Sequence, residues 1–162
     1  MTDSSAIQPL IRRYIEDAGH TSQSIGVGRV IGQIYAYLYF SPEPRSLADM
    51  QEALGISKGS ASMGVRQLEQ WAAVRKVWVR GDRKDYYEAN DWIGKVVKNA
   101  LVDVIGRKLA LANGLLAETE DTLAGLNGPD AGFIRQRLER LRRFQRRTQT
   151  IWNSAIVQRL LR

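Results

Sequence analysis

Along the first part of the chain apolar side chains recur at helical spacing, with Ile7, Leu10, Ile11, Tyr14 and Ile15 sharing one face. With Ser4 or Ser5 as cap, this predicts a helix to about Asp17, ended by Ala18-Gly19-His20. Val27, Val30, Ile31, Ile34, Tyr35, Leu38 and Tyr39 repeat the spacing and predict a largely buried helix over residues 24–40. Ser41-Pro42-Glu43-Pro44 stops it, since proline lacks the amide donor and restrains the residue before it. Ser46 reads as the N-cap of a short helix through Leu54, with Asp49 in its first turn and Gly55 closing it. Ser57 caps another, from Lys58 to about Trp71.

The pattern then turns strand-like. Val74 to Arg80 is rich in β-branched and aromatic residues, Gly81-Asp82-Arg83-Lys84 makes a turn, and Tyr86, Tyr87 and Glu88 return, which predicts a β-hairpin. Two long helical patterns follow, over residues 91–124 and from Asp130 to about Leu161. Asn127-Gly128-Pro129 between them predicts an antiparallel pair. The fold class is therefore mainly α: a winged helix-turn-helix with a β-hairpin wing and long terminal helices. Those helices carry more apolar surface than so small a core covers, and a second copy of the chain is the economical cover. The predicted divisions are an N-terminal packing and dimerisation helix (1–23), a DNA-binding domain (24–90) and a helical dimerisation region (91–162).

The segment LADMQEALGISKGSASMGVRQLEQW carries the functional signal. Leu47, Met50 and Leu54 form one stripe, Ile56 plugs the turn, and Ala61, Val65 and Leu68 answer from the second helix. That leaves Lys58, Gly59, Ser62, Met63 and Arg66 facing outward. A major groove about 12 Å wide admits one helix, and small, hydrogen-bonding and basic side chains near its N-terminus suit that contact. Ser57, Gly59 and Ser60 let the backbone approach phosphates, with Lys58 adding charge. Ser62 and Met63 are the candidate base-edge readers, and Arg66 reaches guanine or a phosphate. On the hairpin, Arg75, Lys76 and Arg80 are basic, and a loop carrying Arg83 and Lys84 suits a minor groove or flanking phosphates. Asp82 is expected to pair with a neighbouring arginine and fix the loop, leaving Arg83 as the inserted side chain.

Charge sharpens the choice of partner. The 162 residues carry a formal charge of +7, which points to nucleic acid or an anionic membrane. The membrane alternative fails on sequence: the start lacks a signal-peptide pattern, and Leu101 to Ala117 is interrupted by Asp103, Arg107, Lys108 and Asn113. A soluble cytoplasmic protein with no membrane partner is expected. The chain has no cysteine, which removes disulfide frameworks, thiolate-bound zinc and thiol nucleophiles. His20, the one histidine, is expected in a loop with nothing to build a triad or metal site around it. No catalytic residue, metal or cofactor is expected, and the chain reads as not an enzyme.

The run from residue 24 to 92 resembles the MarR-type winged-helix regulators, and more narrowly their GbsR-like branch. The resemblance rests on SPEP before the first motif helix, LGISKGSASM across the turn, RQLEQW at the end of the second and VWVRGDRKDYYEA through the wing. It implies a homodimer held by the terminal helices and bound to palindromic double-stranded DNA, usually as a repressor. It places Ser62, Met63 and Arg66 on the operator face and Arg83 at the wing tip. Relatives often have glycine after the tryptophan, where this chain has Ala72, so a positive-φ cap there costs about 1 kcal/mol. Gly64 inside the recognition helix costs about as much against alanine, about 1 kcal/mol, and relatives commonly have a polar residue there.

Two weaker patterns remain. IRQRLERLRRFQRR, ending at Arg147, reads either as a second nucleic-acid contact or as a dimerisation helix with a basic outer face, and the resemblance favours the latter. Aromatic residues flank the wing and line the second helix. Because GbsR-like relatives sense choline-like compounds, Tyr35, Tyr39 and Trp92 are candidates for a cation–π cage around a small-molecule effector, with core packing as the alternative. Two other functions stay open on sequence: a winged-helix protein–protein module and a sequence-neutral nucleic-acid binder.

Overall fold

A computed structural model describes residues 4–125 and 128–154, which fall into two compact units divided between Leu101 and Val102. The first unit holds helices α1 (Ser4–Ser24), α2 (Arg29–Tyr39), α3 (Leu47–Leu54) and α4 (Lys58–Gln70), with strands β1 (Arg45–Ser46), β2 (Val74–Val77) and β3 (Tyr86–Ala89). It also holds the start of α5 (Ile93–Ala124). The capping side chains expected at Ser4 and Ser5 lie outside the described residues.

Helix α1 runs past its expected end, through Gly19 and His20 to Ser24. Gly19 is buried against α2, where a Cβ would stand 2.7 Å from Cγ of Gln33. It is a close-packing glycine rather than a stop. Gly32 answers from α2, where a Cβ would overlap Ser22 and the carbonyl oxygen of Ala18. Glu16 ties the pair, accepting from Arg29 at 2.6 Å and from Nε2 of Gln33 at 3.1 Å. His20 is thus an exposed helical residue, not a loop one. Helix α2 begins later than its apolar pattern, because Gly26 and Gly28 take φ of 84° and 108° and turn the chain before it.

The motif helices follow their caps. Ser46 Oγ accepts from the Asp49 amide while Asp49 Oδ2 accepts from the Ser46 amide at 2.7 Å, a complete capping box. Gly55 closes α3 at φ 64°, and Ser57 Oγ accepts from the Ser60 amide to start α4. Ile34, Met50 and Val65 are fully buried between the three helices, with Ala61, Leu68 and Trp71 around them. Gly64 lies on this inner side, where a Cβ would meet Cδ1 of Ile34 at 2.6 Å. The glycine lets α4 lie close on α2 and is no part of the outer surface.

Helix α4 ends in a Schellman turn: the Ala73 amide donates to the Leu68 carbonyl and the Ala72 amide to that of Glu69. Ala72 stands at φ 55°, the one non-glycine among the described residues at positive φ. Nδ2 of Asn90 and of Asn99 donate to the carbonyls of Ala72 and Trp71, at 2.6 and 2.8 Å.

The hairpin belongs to a three-stranded antiparallel sheet of order β1-β3-β2, with Ser46 opposite Tyr86 and Lys76 opposite Tyr87. The first wing strand is shorter than its β-branched run, since the ladder ends at Val77. The short β1 was not expected from the pattern.

In the second unit, the rest of α5 runs antiparallel to α6 (Pro129–Trp152). Gln145 bonds Asn113, Arg142 pairs with Glu120, and Arg135 donates to the Leu123 carbonyl. Between them Leu109, Leu116, Leu138, Leu141 and Phe144 line an apolar groove of about 320 Å³. Gly128, at φ 132°, precedes Pro129 in the first helical turn, as the turn chemistry requires. The predicted end of this helix, residues 155–161, and the turn residue Asn127 lie outside the described residues.

Candidate nucleic-acid interface

Burial divides α4 cleanly. Ala61, Gly64, Val65 and Leu68 face the core. On the opposite side Ser57, Lys58, Gly59, Met63 and Arg66 are exposed, and Ser60 and Ser62 are half-buried. Met63 is 73% exposed, so its thioether lies outside any intrachain packing. The first turn therefore offers open backbone amides, two serine hydroxyls and one ammonium group in a small space. Ser57 Oγ donates to Ser60 Oγ at 3.0 Å as well as capping, which fixes both hydroxyls at the helix start.

The ribbon beside it is organised by ion pairs. Arg75 pairs with Glu88 directly across the ladder, and Lys76 with Asp85 at 2.7 Å. Asp82 does fix the loop, but through other partners than an arginine: it accepts from the Lys84 amide at 3.0 Å and the Tyr86 hydroxyl at 2.7 Å. The Lys84 amide foremost, then the Tyr86 hydroxyl, holds the Asp82 carboxyl below the usual carboxylate range. A turn amide is local and rigid where an arginine is long, so the backbone wins the carboxylate. Among the described residues the side chains of Arg80, Arg83 and Lys84 have no carboxylate partner, and all three are exposed. Two of the wing's five cations are neutralised in place; the three around its tip are not.

Helix and ribbon border each other at Tyr87. Burial pushes its phenol pKa up, the carboxylates of Asp85 and Glu69 add to that, and the charges of Lys76 and Arg66 pull it back. The phenol is thus within electrostatic range of charges on both α4 and the hairpin.

The candidate aromatic cage does not assemble. Tyr35 donates its hydroxyl to the Asn90 carbonyl at 2.9 Å, and burial foremost, then Tyr39 and Asp91, pushes its pKa up to about 12. Tyr35 lines a cavity of about 400 Å³ with Tyr14, Thr21, Ile31, Trp71 and Val97. Tyr39 lies 6.0 Å from Tyr35 ring to ring but packs edge-on against Phe40. Trp92 borders a different hollow, with the Lys95 ammonium already 5.2 Å above its ring. Tyr14 belongs to the aromatic cluster that the sequence suggests around the second helix, but Trp71 does not, because nothing local links the end of α4 to α1.

Among the described residues no group of histidine and carboxylate side chains is placed to hold a metal ion. No described helix is long and apolar enough to cross a membrane.

No protein-family model matches the chain. Among curated proteins it is similar to two Bacillus subtilis repressors: GbsR, 33% identical over 52% of this chain and 47% of that one, and OpcR, 27% identical over 66% and 67%. It is also similar to the Mycobacterium tuberculosis regulator MmpR5, 29% identical over 52% of each chain. The chain spans about half the length of most curated relatives it matches. A solved structure described as a transcriptional regulator superposes on 95% of this chain and all of its own, with a TM-score of 0.60 at 21% identity. These likenesses agree with the geometry of α4 and its wing: the chain has a winged helix-turn-helix fold and is similar in sequence to the HTH-type regulators GbsR and OpcR.

Proposed function

We propose that this protein is a sequence-specific DNA-binding transcriptional regulator that acts as a homodimer on a palindromic operator, in the direction of repression. The observation that carries the reading is the divided surface of α4: one side is locked in the core and the other is open from Ser57 to Arg66, beside a wing with three unpaired cations at its tip. An α-helix about 10–12 Å across fits a major groove about 12 Å wide. Ser62 and Met63 then meet base edges, Lys58 and the first-turn amides meet phosphates, and Arg83 enters the adjacent minor groove with Arg80 and Lys84 beside it.

The dimer rests on the apolar surface left uncovered. In the second unit Leu111, Leu115, Phe144 and Ile151 are each more than half exposed, apolar surface that a second copy of the chain would cover. The basic side chains of α6 are partly occupied there, by Glu120 and by the Phe133 ring under Arg137, as a dimerisation helix with a charged rim would have them. Control by an effector fits the 400 Å³ cavity beside Tyr35 better than a cage of Tyr35, Tyr39 and Trp92. Asp17 is its one charged lining residue, so an apolar neutral or cationic ligand suits it. Titrating choline and glycine betaine against tryptophan fluorescence tests quaternary ammonium ligands, and a flat response removes those.

A division of labour tests the main reading. Arg83→Ala weakens binding to all duplexes and lowers the salt slope by about one. Ser62→Ala and Met63→Ala change sequence preference, by roughly 1–3 kcal/mol where they contact bases. Equal losses on every sequence for all three variants contradict sequence-specific recognition.

A further inference from the structure

Trp78 is 78% exposed, the highest value among the exposed large apolar side chains of the described residues, and it stands on the wing. Soluble chains expose single apolar residues often, but an indole left largely in water on the same wing as three unpaired cations calls for a cover.

Side chains alternate between the faces of a strand, and the register assigns them here. Val74 is opposite Ala89 and Lys76 opposite Tyr87, so these share a face, while Arg75, opposite Glu88, and Val77, opposite Tyr86, share the other. Val74 and Tyr87 are buried, so the first face is the one turned toward the helices. Past the ladder, which ends at Val77, Val79 is half-buried while Trp78 and Arg80 are exposed. Trp78 is thus the first residue beyond the paired strand, where neither the core nor the opposite strand covers it, and it leads into the turn that carries Arg80, Arg83 and Lys84.

We propose that Trp78 is a DNA contact: its ring packs against deoxyribose faces of the DNA strand beside the wing, with the indole N–H available to a phosphate oxygen. The proposal rests on the DNA-binding reading above and adds to it an apolar contact on the sugar–phosphate wall. Charge selects this occupant. The wing that carries it also carries Arg80, Arg83 and Lys84 without a carboxylate partner, and a polyanion with apolar sugar edges suits that mixture, whereas a second copy of this basic wing would bring like charges together.

The test uses the full-length protein and an end-labelled duplex of mixed sequence, with fluorescence anisotropy across a salt series. Trp78→Ala weakens binding about tenfold, as loss of roughly 50–60 Å² of buried apolar contact implies. The salt slope stays at the wild-type value, because no charge is removed. Trp78→Phe recovers most of the loss. Arg83→Ala, in parallel, weakens binding and lowers the slope. Far-ultraviolet circular dichroism confirms folding, and size-exclusion chromatography reports association state. If wild type and Trp78→Ala bind alike, the Trp78 contact is overturned while DNA binding stands. If Trp78→Ala changes the association state instead, the cover is a second copy and the proposal fails. If wild type retains no duplex even at low salt, the DNA-binding reading fails and takes this contact with it.

Discussion

Replacing Ala72 by glycine removes a methyl group from the one described non-glycine residue held at positive φ. An L-residue in the left-handed region costs about 1–2 kcal/mol because Cβ crowds the carbonyl oxygen. Glycine is free of that strain but has more unfolded freedom to lose, worth about 0.4–1 kcal/mol. The difference predicts that Ala72→Gly stabilises the fold by about 0.5–1 kcal/mol, or a rise of about 2–3 °C in Tm for a chain of this length. Ala72 is exposed, so no packing is lost, and its hydrogen bonds to Glu69 and Asn90 run through the backbone and persist. Thermal unfolding followed by circular dichroism at one fixed protein concentration reads the shift, since association makes Tm concentration-dependent. Ala117→Gly, at an exposed position inside α5, is the control and lowers stability by about 1 kcal/mol. If both substitutions lower Tm alike, Ala72 is not strained and the account of this turn is wrong.

Other consequences follow from the same packing and charges. Gly32→Ala drives a methyl group into the Ala18 backbone carbonyl, which cannot rotate away, and costs more than about 2 kcal/mol in denaturant unfolding; a neutral result would contradict the close crossing of α1 and α2. Asp49 has its carboxyl held below the usual range, by the Ser46 amide foremost. Its depressed folded pKa means the capping stability is present at neutral pH and is lost as pH falls from the ordinary carboxylate range through the folded value. Asp49→Asn should therefore be less stable than wild type at pH 7 and converge on it near pH 3, in parallel melts; a constant gap would refute the linkage. Leu115→Glu together with Phe144→Glu should convert a dimer to a folded monomer by light scattering. A wild-type monomer would remove the dimer proposal outright.

What the sequence made legible is local. Ser46 with Asp49, Gly55, and Ser57 are caps acting within four residues, so α3 and α4 and the turn between them could be placed from the chain alone. The outward side of α4 followed from Ala61, Val65 and Leu68 by the same logic. What was missed depends on distant neighbours. Gly19 looks like a helix stop until the Gln33 side chain is laid against it, and Gly64 looks like an unfavourable choice until Ile34 occupies the space. Asp82 found a turn amide and a tyrosine rather than an arginine, because loop geometry decides which donor is nearest. Strand β1 spans two residues after a proline, the second of them the cap Ser46 itself, too short for any alternation to show. Trp78 sat unmarked in a β-branched run, where an aromatic residue reads as core until the end of the ladder at Val77 leaves it outside.

In the proposed function the open side of α4 reads bases from two copies of the chain at once. Selection of bound fragments from a pool of random duplexes, at near-physiological salt, measures this directly. The predicted result is an inverted repeat whose half-sites lie about one helical turn apart, and whose preferred bases change when Ser62 or Met63 is replaced. Recovery of unrelated fragments with no shared sequence, or of a single half-site without symmetry, would contradict it.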